Sequence, residues 1–285
     1  MRELFFNLFK KSHFETGIKI TPFSVAHIVY LVLIIGGIIA AYCYFRNKSE
    51  EQKARVLRVL MTALVISYVT DFFMHPFVYG EYIPGASVNG VLNMDKLPFH
   101  LCTVLCPIGA LVQFNKHFKK FAEPVALLAI LGTTMYMSYP ASVGSGEPWC
   151  YQALQTMFYH GVLLAWGVLQ IAFGFVKPDI KHSWKAGCFL VGITLWAKFG
   201  NLLYADYNWF FLEEDAFYIG LVGTYGMPKW MLMIINPIVF FSAVIALYGI
   251  IYIFQHHAEK KQKNAPVAEA PATEAPAEEK EPVEV

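Results

Sequence analysis

The chain has 285 residues, 56% of them hydrophobic and 15% charged, with a mean hydropathy of +0.45. An average soluble domain is about 25% charged, because a surface facing water needs charges to cover it. Disorder, collagen and a disulfide-rich secreted scaffold are excluded, which leaves an all-α polytopic membrane protein.

A formal net charge of +1 gives no basic face for phosphate backbones, so no nucleic-acid partner is expected. The five cysteines lack the paired spacing of a disulfide framework or a zinc ribbon. Free thiols are the simplest reading of Cys43, Cys102, Cys106 and Cys188, which lie in or beside apolar runs. No cleavable signal peptide is expected, since the first apolar run is too long and no small-residue cleavage site follows.

In chain order, residues 1–20 read as an interfacial piece, with Leu4, Phe5, Phe6, Leu8 and Phe9 beside Lys10 and Lys11. The membrane domain covers 21–256, and crossing hydrocarbon takes about 20 apolar residues. Seven segments qualify: 22–45, 57–78, 97–115, 121–139, 153–176, 186–204 and 229–254. The third, fourth and sixth are the shortest. Residues 257–285 form a tail that is Ala/Pro/Glu-rich from Asn264 and cannot bury a core. No internal repeat is evident, which weakens a transporter built from inverted repeats.

Lys and Arg set the orientation. Loops 46–56, 116–120 and 177–185 and the start of the tail carry thirteen of them, against Lys96 alone in the alternate loops. The N-terminal Arg2, Lys10, Lys11 and Lys19 oppose this count, but flipping the chain would violate four segments to satisfy one. The expected topology is N-outside, C-inside.

Ionisable groups inside a bilayer are expensive and mark sites. At 1.5 Å per residue, six of the seven segments put a polar group in one layer of the outer half. The layer holds His27, Asp71, His75, His100, Cys102, His160, Lys198 and Asn236, whereas the inner half has Glu123 near a helix end. Each member has a plainer alternative. Asp71 and His75 share a helix face as a polar pair, Lys198 snorkels toward headgroups, and His27, Asn201 and Asn236 make interhelical hydrogen bonds. Cys106, one turn below Cys102, is apolar packing, and Trp149, Trp209 and Trp230 read as an interface belt. The sharpest signal is the Leu97-Pro98-Phe99-His100-Leu101-Cys102 run together with His160.

A thiol needs a base to attack an ester, the Cys–His logic of acyl transfer. Cys102 lies in the first turns of its helix, where the positive dipole end favours thiolate. His100, two residues away, points elsewhere, so His160 at similar depth is the better base. Histidines in this layer would also suit haem or a quinone, but the mixture of Cys, His, Asp and Lys does not resemble such a ligand set. No metal and no cofactor is called for. A small-solute pocket of a transporter and a purely structural role remain open on the residues alone.

The Leu-Pro-Phe-His-Leu-Cys run resembles the LPxHLC signature of the YwaF-like integral membrane family. The match extends to Pro22-Phe23-Ser24 with His27, to Asn201-Leu202-Leu203-Tyr204 and to Pro228-Lys229-Trp230. The resemblance implies seven helices with the N-terminus outside, in a bacterial cytoplasmic membrane. An animal relative is described as a phospholipid acyltransferase that uses the Cys of the signature and a later His. Carried over, Cys102 is the nucleophile and His160 the base, with membrane phospholipids as the partners. His100, Asp71 and His75 would orient the site or bind a headgroup, and Lys198 would pair with phosphate. Transfer and hydrolysis are both compatible with this reading. It sets no oligomeric state.

Overall fold

The computed structural model describes residues 20–78, 96–138, 148–204, 207–212 and 228–263, with side chains described to Phe72 in the first stretch and to His257 in the last. The expected interfacial segment up to residue 19, the side chain of His75 and the tail from Asn264 lie outside the described residues.

Among the described residues the fold is helical throughout. The elements are α1 (Val25–Phe45), α2 (Glu50–Val78), α3 (Leu101–Phe114), α4 (Ala122–Ser138), α5 (Tyr151–Ala172), α6 (Ser183–Leu203) and α7 (Lys229–Lys263). Each falls on one of the apolar segments read from the sequence. Among the described residues four helical runs are long and apolar enough to cross a membrane: Val25–Phe45, Lys116–Ser138, Ile180–Leu203 and Lys229–His257. The segment 97–115 gives less helix than expected. Pro98 and a tight turn, closed by Phe99 N–H on Leu97 O at 2.7 Å, delay α3 to Leu101. Its 14 residues span about 21 Å, short of a hydrocarbon core of about 30 Å. At the other end of the chain, α7 carries helix past the expected tail boundary at 257 to Lys263.

Local sequence explains the helix starts. Ser24 Oγ accepts from His27 N–H at 3.3 Å to cap α1. At α2, Gln52 N–H donates to Ser49 Oγ at 3.3 Å while Ser49 N–H donates back to Gln52 Oε1 at 3.2 Å, a capping box with Glu50 and Glu51 at the positive dipole end.

Helix α4 is the shared wall. On one side α3 and α5 pack on it, with α2 laid across α3 and α5 and α1 on α5; on the other side it holds α6 and α7, which pack together. Val125 to Ala129 of α4 are fully buried, and so are Leu163, Trp166 and Leu169 of α5. Polar residues on α3 and α5 face protein here, so they need partners and find them: Gln113 Oε1 accepts from Trp166 Nε1–H at 2.9 Å and from Gln170 Nε2–H at 3.0 Å. By contrast, α1 turns Val32, Leu33 and Ile39 outward, as a helix against hydrocarbon does.

Candidate functional site

The Leu97–Cys102 run is held residue by residue. Leu97 O accepts from Thr103 Oγ1–H at 3.1 Å, and Pro98 O accepts from the Trp196 indole N–H at 2.7 Å. Phe99 is buried between Trp196 and Trp209, with ring centroids 5.0 and 4.7 Å away. It lies so close to Gly200 that a Cβ there would sit 2.6 Å from the ring, so α6 needs glycine at this crossing. Cys102 O accepts from Tyr159 Oη–H at 2.9 Å, which joins α3 to α5. The Cys102 Sγ faces α4, 3.5 Å from where a Cβ on Gly132 would be.

His160 sits on α5 next to Tyr159 and is buried. Its Nδ1 is 2.8 Å from Thr156 O. A carbonyl can only accept, so Nδ1 carries the proton and the neutral ring keeps its lone pair on Nε2, the nitrogen able to act as a base. Tyr136 of α4 stacks flat on the imidazole at 3.7 Å and 9°, and Tyr159 meets it edge-on. Tyr136 lies one helical turn beyond Gly132. One stripe of α4 therefore runs past the Cys102 thiol and stacks on the His160 ring.

Near His160 is an ion pair on a buried carboxylate that the sequence did not reveal. Lys96, read there only as a lone loop cation, places its Nζ 3.2 Å from Asp71 Oδ2. Its carbonyl accepts from Tyr68 Oη–H at 2.6 Å. Asp71 is 4% exposed, and its Oδ2 meets the ammonium without the alignment of a hydrogen bond. Lys96 and His100 lie within electrostatic reach of His160. The signal was present: a buried carboxylate has to be paired, and Lys96 is the lone Lys or Arg of its loop.

Several other members of the expected layer hydrogen-bond to backbone groups. His27 Nδ1 accepts from Phe23 N–H at 2.9 Å, which holds the turn before α1, and its Nε2–H donates to Met137 O at 2.6 Å, which ties the start of α1 to the end of α4. His100, Asn201 and Asn236 converge on one short segment, the turn Trp209–Phe211. Asn201 grips Trp209 from both sides, Oδ1 accepting from its N–H at 2.9 Å and Nδ2–H donating to its carbonyl at 3.1 Å. Asn236 Nδ2–H donates to Phe210 O at 2.8 Å, and His100 Nδ1 accepts from Phe210 N–H at 3.2 Å. Non-helical backbone inside a helical membrane bundle has unsatisfied groups, and these three side chains satisfy them. They also hold Phe210 and Phe211 at φ of 57° and 55°, a left-handed conformation that strains bulky residues by about 1–3 kcal/mol each.

Trp209 itself corrects the sequence reading. Expected in an interface belt, it is fully buried, stacked on Tyr207 at 4.7 Å, because the chain after α6 folds back into the bundle. Trp149 and Trp230 are 55% and 65% exposed. Lys198 is half-buried on α6, and Cys106 is buried below Cys102. None of the five cysteines, all of them among the described residues, is in a disulfide.

No curated protein and no solved structure matches the chain. The sequence model of one family does match, over residues 22–252, which takes in every described helix up to Tyr252 and leaves out the ends. On that match the chain belongs to the TMEM164 family.

Proposed function

We propose that the protein is a membrane-embedded lipid acyltransferase or acyl-ester hydrolase, working in the outer half of a cytoplasmic membrane with its N-terminus outside. Cys102 is the nucleophile and His160 the base. His160 Nε2 takes the thiol proton, and the sulfur attacks the carbonyl carbon of a phospholipid ester. The ester C–O bond breaks, the acyl group stays on sulfur as a thioester, and the proton returns to the departing lysolipid oxygen. A second lipid hydroxyl, or water, then gives its proton to His160 and takes the acyl group, restoring the thiol. Lys96, held by Asp71, supplies positive charge beside the site for a phosphate or a developing oxyanion.

One observation supports this reading most: on one stripe of α4, Tyr136 stacks on a His160 ring whose Nδ1 proton is fixed on Thr156 O, and one turn away the Cys102 thiol lies 3.5 Å from where a Cβ on Gly132 would be. The likeness of Leu97–Cys102 to the YwaF-like signature also supports it.

The test is mass spectrometry of the protein in nanodiscs with isotope-labelled phospholipids. Wild type should move label to new lipids or to free acid and carry labelled acyl on Cys102. Cys102→Ala should fall to background, and His160→Ala should lose about 10²–10⁴-fold. Turnover that survives Cys102→Ala would end the proposal.

A further inference from the structure

We propose that the open groove between α3 and α6 is a binding site for one acyl chain of a membrane phospholipid, separate from the Cys102 site. The two helices each pack on α4 but not closely on each other. The gap they leave has a volume of about 580 Å³, within the range of about 300–1,000 Å³ usual for ligand clefts. Its walls are Pro98, Val104 and Ile108 on one side and Cys188, Gly192 and Trp196 on the other.

Three features select the occupant. First, the wall formed by the described residues is almost entirely apolar, and the indole N–H of Trp196 is already held by Pro98 O. Second, the groove opens onto a face carrying Leu111, Val191, Leu195 and Phe199, each 44–59% exposed, which the hydrocarbon of a membrane covers. Third, its length fits. From Trp196 to Cys188 is about 12 Å along α6, close to the half-thickness of a core of about 30 Å. A groove that begins at the Pro98 end and runs one leaflet deep matches a phospholipid chain with its headgroup at the Pro98 end.

The site is not an arm of the catalytic pair. Val104 is about 200° round α3 from Cys102, and the thiol faces α4 instead. A chain in the groove would press on the same helix from its opposite side. The inference therefore rests on the membrane setting and stands whether or not Cys102 performs acyl transfer.

The structure supplies matched variants. A Cβ at Gly192 meets nothing within 4 Å, so Gly192→Trp fills the groove without a clash at its root. Gly36 is equally open on the outward face of α1, so Gly36→Trp adds the same bulk elsewhere. The protein in nanodiscs would be irradiated with a phosphatidylcholine carrying a diazirine in one acyl chain, and the adducts mapped. We expect adducts at Val104, Ile108 and Phe189 at least fivefold above those at Val32 and Leu33 of α1. Gly192→Trp should lose that excess and Gly36→Trp should keep it. Uniform labelling of both faces, or an excess that survives Gly192→Trp, would overturn the proposal, as would labelling by a diazirine fatty acid but not by the phospholipid.

A second measurement needs no variant. Cys188 and Cys43 are both exposed, on the groove and on α1 respectively. Adding phosphatidylcholine to protein in detergent should slow maleimide alkylation of Cys188 several-fold relative to Cys43. Equal slowing of both, or protection of Cys188 that tracks protein concentration and not lipid, would count against a lipid occupant.

Discussion

Two polar clusters sit at opposite ends of α4, and they are built to different standards. At the Glu123 end every oxygen of the carboxylate has a partner. Oε1 accepts from Asp179 N–H at 2.9 Å and Tyr248 Oη–H at 3.0 Å, and Oε2 meets His182 Nδ1 at 2.9 Å. The result joins α4, the turn before α6, and α7, with His182 partly open to its surroundings. At the other end Asp71 is buried, its Oδ2 faces Lys96 without hydrogen-bond alignment, and two phenylalanines are held at positive φ. Strain and a poorly matched carboxylate are features that functional sites accumulate, while a cluster that only holds helices together is free to satisfy itself. The difference teaches which end to read as a site and which as a clasp.

The comparison can be broken by mutation. The largest effect should come from Lys96→Met, which strands Asp71 as an unpaired buried charge and should cost about 3–5 kcal/mol. Thermal unfolding in detergent would show it, and the double variant with Asp71→Leu should recover much of the loss. Recovery is the decisive part, since a merely damaged core would not regain stability.

Next in size is Asn201→Ala, which orphans the Trp209 N–H and carbonyl together and should cost about 2–3 kcal/mol. Its signature is local: Trp209 fluorescence should shift to the red as the turn leaves the bundle, which an unchanged spectrum would refute. The smallest effect belongs to Glu123→Gln. The amide oxygen still accepts from Tyr248 and Asp179, so the loss should stay near 1 kcal/mol with any turnover by Cys102 intact. A large loss of turnover from this variant would erase the distinction between the two ends.

The helices were legible because long apolar runs announce themselves, and so were the residues of the Leu97–Cys102 run, since that run is unusual as a string. What stayed hidden depends on the path of the chain. Nothing in local periodicity says that residues 207–212 return to the bundle, so Trp209 read as a belt residue, and Asn201 and Asn236 read as generic interhelical partners when their partner is one particular turn. Lys96 was visible but misfiled, because a cation in a loop reads as solvated until the fold puts a buried carboxylate beside it. The Gln113–Trp166–Gln170 contact escaped for the reverse reason: uncharged amides attract no notice in a search for ionisable groups.

The stripe on α4 has a mechanical side. Glu123 and Tyr136 are thirteen residues apart on one helix, a stiff rod of about 20 Å. Turning that rod about its own axis would carry Gly132 and Tyr136 together, shifting the backing of the thiol and of the imidazole in the same stroke. The clasp on Glu123 is the brake on that rotation. Contacts at the Glu123 end thus bear on the surroundings of both the Cys102 thiol and the His160 ring, through the torsional stiffness of a single helix.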